Sequence, residues 1–226
     1  MRRNVSRLGF LETRTSGARF YANARGKLSP MSTPNPPGQV VLLNGASSSG
    51  KSTIARQLLM DFDTPWFHMG VDMFGAMRAE RRTHELTPEG VRDVLHRTRA
   101  GFHRAVAGMA KAGNNIVMDH VLSEPWRLSD LLAVMVDIDV VFVGVHCSVA
   151  DLNEREALRG DRTVGIAAGQ VASVHTHSLY DIEVSTSVAT VEDCSAHIRA
   201  YLDDHQEPIE RAFDQLREMR PDETQR

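Results

Sequence analysis

Apolar residues fall along this chain in two rhythms. Residues 39–44, 66–71, 116–119, 140–147 and 182–184 are short runs dominated by aliphatic and β-branched side chains, as expected of strands buried on both faces of a parallel sheet. Between them the period lengthens to that of a helix. Ile54, Leu58 and Leu59 share one face of a segment at 52–62, before the break at Pro65. Val91, Val94, Leu95, Phe102, Val106 and Met109 mark a long helix that stops near Gly113. Thr87 followed by Pro88 opens it, a capping hydroxyl with proline at the first helical position. Further helices are expected at 126–136, at 148–158 behind the capping pair Ser148 and Asp151, and at 191–204. A short amphipathic one carries Ile209, Phe213 and Leu216. Strands alternating with helices predict an α/β fold: a parallel sheet with helices on both faces, right-handed crossovers, and ligands at the C-terminal ends of the strands.

Composition changes this picture mainly at the N-terminus. The 226 residues, 42% hydrophobic and 24% charged, suit one well-filled domain, which we place at 38–205, followed by a C-terminal amphipathic helix and polar tail at 206–226. Residues 1–37 are expected to be a basic leader outside the fold, disordered or absent from the mature protein. Positions 1–30 hold seven Arg and Lys against Glu12 alone, a net of +6 in a chain whose total is −3, so the body carries −9. Such an Arg-rich, acid-poor stretch has the character of an organellar transit peptide, while Met31 offers the simpler account of a natural start further down. An acidic body argues against nucleic acid as a partner. The most apolar stretch, 131–147, is interrupted by Asp137 and Asp139 and is too short to span a bilayer, so no membrane segment is expected and the cytoplasm is the expected location. Cys147 and Cys194 lack metal-ligand or redox spacing and read as free thiols. A homo-oligomer is left open.

The chemistry centres on Gly45-Ala46-Ser47-Ser48-Ser49-Gly50-Lys51-Ser52, a complete G-x-x-x-x-G-K-S between a predicted strand and a predicted helix. Small residues let successive backbone N–H groups turn inward around an anion, and the helix aims its positive end at the same place. The segment 45–53, through Thr53, is therefore the candidate ATP phosphate cradle of a P-loop NTPase, with Lys51 on the β- and γ-phosphates and Ser52 on Mg²⁺. Asp119, at the end of the third predicted strand, is the candidate second metal ligand, with a helix cap as the plainer alternative. Asp72 ends the second strand and reads equally as a base for an acceptor hydroxyl or as a cap. Arg159 and Arg162, in Arg-Gly-Asp-Arg, could close over the phosphates or form a solvated cluster. His175 and His177 read as surface histidines rather than metal ligands, and Arg78, Arg81 and Arg82 as a solvated group. Trp66 and Trp126 read as core or pocket wall.

These segments resemble the chloramphenicol phosphotransferases, small P-loop kinases that phosphorylate the primary hydroxyl of that antibiotic. The resemblance is carried by LLNGASSSGKS (42–52), GVD (70–72), IVMDHV (116–121), VFVGVHC (141–147), RGDRTVGIAAGQVASVH (159–175) and YDIEVSTS (180–187). It implies that Asp72 is the catalytic base, that Arg159 and Arg162 are phosphate-contacting lid residues, and that the sheet has five strands in a nucleoside-monophosphate-kinase-like arrangement. It also implies an antibiotic-resistance type of activity on chloramphenicol or a related hydroxyl acceptor. The chain departs from the pattern in the basic stretch 73–100 and at His120, which stands where the antibiotic-modifying enzyme has an acidic residue. Two other functions remain in view: a kinase of another small metabolite or nucleotide sugar, and a non-catalytic ATP-binding regulator.

Overall fold

The structure, a computed structural model, describes residues 20–22, 28–30, 36–159, 165–177, 179–205 and 209–219. The chain forms two compact units, 1–35 and 36–226. The first contains an antiparallel pair of short strands, β1 (Phe20–Ala22) and β2 (Leu28–Pro30), which the sequence pattern does not announce.

The second unit is built on five parallel strands: β3 (Val40–Asn44), β4 (Trp66–Gly70), β5 (Asn115–His120), β6 (Val140–His146) and β7 (Ile182–Ser185). Their order is β4-β5-β3-β6-β7. Register aligns Leu43 with Asp119 and Val143, and Gly70 with Asp119, so the C-terminal ends of β3, β4 and β5 finish level. The expected parallel sheet and its strands are present, each within two residues of its predicted bounds.

Helices cover both faces. They are α1 (Lys51–Asp61), α2 (Val71–Ala76), α3 (Glu80–His84), α4 (Pro88–Lys111), α5 (Pro125–Val134), α6 (Val149–Arg159), α7 (Ile166–Val174), α8 (Val191–Asp204) and α9 (Ala212–Glu218). Alternation along β3 divides the core. Val40 and Leu42 face α4, α5 and α9 through Phe102, Val106, Leu131 and Phe213, while Val41 and Leu43 face α1 and α8 through Ile54, Leu58 and Ile198. All of β3 is buried, which is why it has no polar alternation. Truncating a fully buried Leu58 or Ile54 to Ala should cost about 2–5 kcal/mol.

The predicted caps form. Thr87 Oγ1 accepts from Gly90 N at 3.1 Å, with Pro88 at the first position of α4, and Ser148 Oγ accepts from Asp151 N at 3.1 Å. The short helices α2, α3 and α7 are not marked by the apolar periodicity of the sequence. Two histidine readings are corrected. His175 is half-buried, hydrogen-bonded through Nδ1 to Tyr180 Oη at 2.6 Å, and burial pushes its pKa down to about 4. His177 stacks on Phe142 with ring centroids 4.9 Å apart and approaches the Asn44 amide at 3.3 Å. Both were expected at the surface, and the loop from α7 to β7 packs them inward against the end of β3. Cys147 and Cys194 are free thiols. No helix among the described residues is long and apolar enough to cross a membrane.

Candidate active site

The P-loop leaves the end of β3 directly. Gly45 is needed there because a Cβ would lie 2.3 Å from the Val145 carbonyl oxygen on β6. Gly50 adopts φ 93°, a left-handed conformation that turns the chain into α1. Lys51 is buried, and its Nζ donates to the Ala46 carbonyl at 2.6 Å. Ser48 Oγ is buried with no hydrogen-bond partner, a polar atom left over inside the loop. The Ser47 N–H is taken by Gln170 Oε1 of α7 at 2.9 Å, so α7 braces the loop from outside.

Ser52 and Asp119 meet. Ser52 Oγ donates to Asp119 Oδ2 at 2.6 Å, and the same oxygen accepts from His68 Nε2 at 3.0 Å. Burial pushes the Asp119 pKa up, but hydrogen bonds from His68 and Ser52 and the charge of Lys51 outweigh it and leave the carboxyl below its ordinary range. A hydroxyl and an ionised carboxylate are hard oxygen ligands, and this donor set suits Mg²⁺. His68 was not singled out from the sequence. It orients the carboxylate from β4, the neighbouring strand.

Asp72 stands in the first turn of α2, just past β4, and is exposed to the same cleft. Arg159 closes α6, but its side chain and all of Arg162 lie outside the described residues. One turn earlier, Arg155 touches the P-loop side instead. It donates to Thr186 Oγ1 and Thr186 O, both at 2.9 Å, and Thr186 Oγ1 donates to Ser49 O at 2.9 Å.

Beyond Asp119 lies a buried chain of histidines. Asp130 accepts from His103 Nδ1 at 2.6 Å and from both Arg104 amino groups at 3.0 Å, and His103 Nε2 lies 3.0 Å from His120 Nε2. Burial lowers the His103 pKa to about 4 and that of His120 well below its ordinary value, so both rings are neutral. Neutrality fixes the tautomers. His103 gives its Nδ1 proton to the carboxylate, its Nε2 accepts from His120 Nε2–H, and His120 Nδ1 is left with a lone pair and no partner.

Two clefts meet at the P-loop. One, of about 460 Å³, runs from Ser47 and Gln170 past Asp72 to Arg78, Arg99, His120 and Arg127. The other, of about 1080 Å³, runs past Thr53, Arg56, Arg155 and Thr186. Both are lined by Ser48, Lys51, Ser52, Asp72 and Asp119. Gly45, Ala46 and Ser49 line neither and shape the loop from beneath. Arg78 corrects the sequence reading: Arg81 and Arg82 are exposed and pair with Glu85, whereas Arg78 turns into the cleft.

A P-loop at the C-terminal end of the central strand of a five-stranded parallel sheet in this order defines a P-loop kinase fold, and solved structures agree. The chain is similar to the APS kinase of Mycobacterium tuberculosis in complex with AMPPNP and APS (TM-score 0.55, 17% identity, 74% of this chain and 99% of that one). It is also similar to a tunicamycin resistance protein of Deinococcus radiodurans (TM-score 0.53, 16% identity, 74% and 96%) and a gluconokinase of Sinorhizobium meliloti (TM-score 0.52, 16% identity, 75% and 94%). At such identities these likenesses show the fold alone. A family model described as chloramphenicol phosphotransferase-like protein matches residues 38–203, and the chain belongs to that family. Two relatives from Mycobacterium tuberculosis strains, each named "Putative O-phosphotransferase", are 28% identical over 206 residues, covering 80% of this chain and 89% of theirs. The chain is thus a phosphotransferase of the P-loop kinase class.

Proposed function

We propose that the protein transfers the γ-phosphoryl of ATP to a hydroxyl of a small molecule, with ATP in the larger cleft and the acceptor in the smaller one. The observation that carries this reading is the overlap of the two clefts at Lys51, Ser52, Asp72 and Asp119. A phosphoryl group held at that junction would have a cation, a metal-binding pair and a carboxylate around it. Lys51 and the opening N–H groups of α1 bind the β- and γ-phosphates. Ser52 Oγ and Asp119 hold Mg²⁺, which when bound neutralises phosphate charge. Asp72 accepts the acceptor hydroxyl proton and aligns its oxygen for in-line attack. Arg155 stands at the phosphate side, and Arg159 and Arg162 remain the proposed lid.

Chloramphenicol gives the family its name, and it is the acceptor that the sequence resemblance suggests. The arginine-lined wall of the smaller cleft favours a different member of the hydroxyl acceptors, because that antibiotic has no ionised group to meet it. The tests of roles are Asp72→Asn and Lys51→Met. Asp72→Asn should keep Mg-AMP-PNP binding and lose acceptor-dependent ADP release by on the order of 10²–10⁴-fold, and Lys51→Met should weaken both. Near-normal transfer by Asp72→Asn at saturating acceptor would remove Asp72 as the base.

A further inference from the structure

We infer that the acceptor carries an oxyanion, such as a phosphate, sulfate or carboxylate, and that Arg78, Arg99 and Arg127 seat it. The inference rests on the reading of the smaller cleft as the acceptor side and names the class of molecule that enters it.

The three arginines come from different parts of the chain: Arg78 from the link between α2 and α3, Arg99 from the middle of α4, and Arg127 from α5. All line the smaller cleft, and none lines the larger one. Their charge therefore faces the acceptor and not the nucleotide. Nε and Nη1 of Arg78 are buried and lack any hydrogen-bond partner, as does Nε of Arg127. Among the described residues neither Arg78 nor Arg99 forms an ion pair, although both are half-buried. Guanidinium groups taken out of water without acceptors are costly, and the cost is recovered only by an anion that supplies several oxygens at once.

The neighbouring carboxylates do not fill that role. Asp119 is engaged by Ser52 and His68, and Glu124 pairs with Arg127 from a largely solvent-exposed position. Asp72 is the remaining carboxylate of the cleft, and it stands at the junction with the P-loop. Like charges also feel one another here: after burial, the field of Arg99 is the next influence lowering the Arg127 pKa. Arg127 is held in place by the Val121 carbonyl at 2.6 Å and Ser123 Oγ at 3.1 Å, so this part of the wall is preorganised.

The test is calorimetric titration of inorganic sulfate into the full chain saturated with Mg-AMP-PNP, which occupies the P-loop. Sulfate should bind the wild type and bind Arg78→Met and Arg99→Met more weakly, on the order of ten- to a hundredfold each. Nucleotide affinity should not change. Because among the described residues neither side chain forms an ion pair, and Arg99 feels Glu124 only through space, both variants should be about as heat-stable as the wild type without sulfate. A loss of stability in either would reveal a structural role. Glucose should fail to displace sulfate, and whichever of glucose 6-phosphate and gluconate displaces it at lower concentration names phosphate or carboxylate as the preferred group. Absence of saturable sulfate binding, equal affinity in the variants, or displacement by glucose overturns the inference. Failure of Mg-AMP-PNP to bind overturns the phosphotransferase reading instead. The same sulfate titration on Lys51→Met without nucleotide would then still decide the arginine site.

Discussion

Acidification should unfold this protein through the His103–His120 pair, and His103→Met should remove a defined part of that sensitivity. His103 has a fully buried side chain and a folded-state pKa near 4, against an ordinary value of 6.5. Its surroundings hold Asp130, which favours the charged ring, and Arg104, Arg127 and His120, which do not; burial is the largest effect and lowers the pKa. The unfolded chain takes up a proton below about 6.5, whereas the folded chain refuses it until about 4. Stability is therefore full above 6.5 and falls as the pH drops toward 4, at up to about 1.4 kcal/mol per pH unit. Between pH 7.5 and 5, above the range where most carboxylates titrate, this amounts to about 2 kcal/mol from His103 alone. His175, with a folded pKa also near 4, contributes in the same direction in both proteins, so the comparison with the variant isolates His103. His103→Met also leaves His120 Nε2–H without its acceptor, a pH-independent loss of about 1–3 kcal/mol. Urea unfolding of wild type and variant at pH 7.5, 6, 5.5 and 5 measures both terms. The variant should be less stable at pH 7.5, and the gap should narrow by about 2 kcal/mol at pH 5. Parallel losses in the two proteins would refute a neutral His103.

Three further outcomes follow from the same contacts. His68→Gln should raise the Mg²⁺ concentration needed for half-maximal nucleotide binding by on the order of tenfold, with Asp119→Asn raising it further; a Mg²⁺ titration that shows no change in either would dissociate this pair from the metal. Glu156 is fully buried and accepts from Gly165 N at 2.8 Å and Ala167 N at 2.9 Å, so Glu156→Gln should cost about 2–3 kcal/mol in urea unfolding and speed amide exchange at those two residues. Gly45→Ala would press a methyl against the Val145 carbonyl, so it should lower thermal stability and abolish nucleotide binding together, and an unchanged melting temperature would contradict the close approach.

The sheet was legible because its central strands β3, β5 and β6 are buried on both faces and have no polar alternation, and β3 and β4 run straight into a glycine or aspartate turn. The P-loop and Asp119 were legible for a related reason: their chemistry is local, either contiguous in sequence or fixed at a strand end. The acceptor wall was not. Arg78, Arg99 and Arg127 are far apart along the chain, and each alone looks like a solvated charge until the fold turns them into one cleft. The Asp130–His103–His120 chain is hidden similarly, since it joins α5, α4 and β5 side by side. α7 escaped because Ile166–Val174 is rich in small residues around Gly169, with little contrast between its faces. Asn44 explains the inward packing of the histidines after α7: its amide donates to Val174 O at 2.7 Å and Tyr180 Oη at 2.8 Å, and its carbonyl accepts from Leu122 N at 3.0 Å. No periodicity marks such a knot of polar contacts at a strand end.

The central claim is transfer from ATP to a hydroxyl, and its most direct measurement is ADP release by the purified chain with Mg-ATP and a panel of hydroxyl compounds, with mass analysis of each compound afterwards. The panel should pair anionic members with neutral ones and include chloramphenicol. The account predicts ADP formed mole for mole with a product bearing one added phosphoryl group, on an anionic acceptor, and neither formed by Asp72→Asn. ADP formed at the same rate with and without every acceptor, and no phosphorylated product, would contradict it.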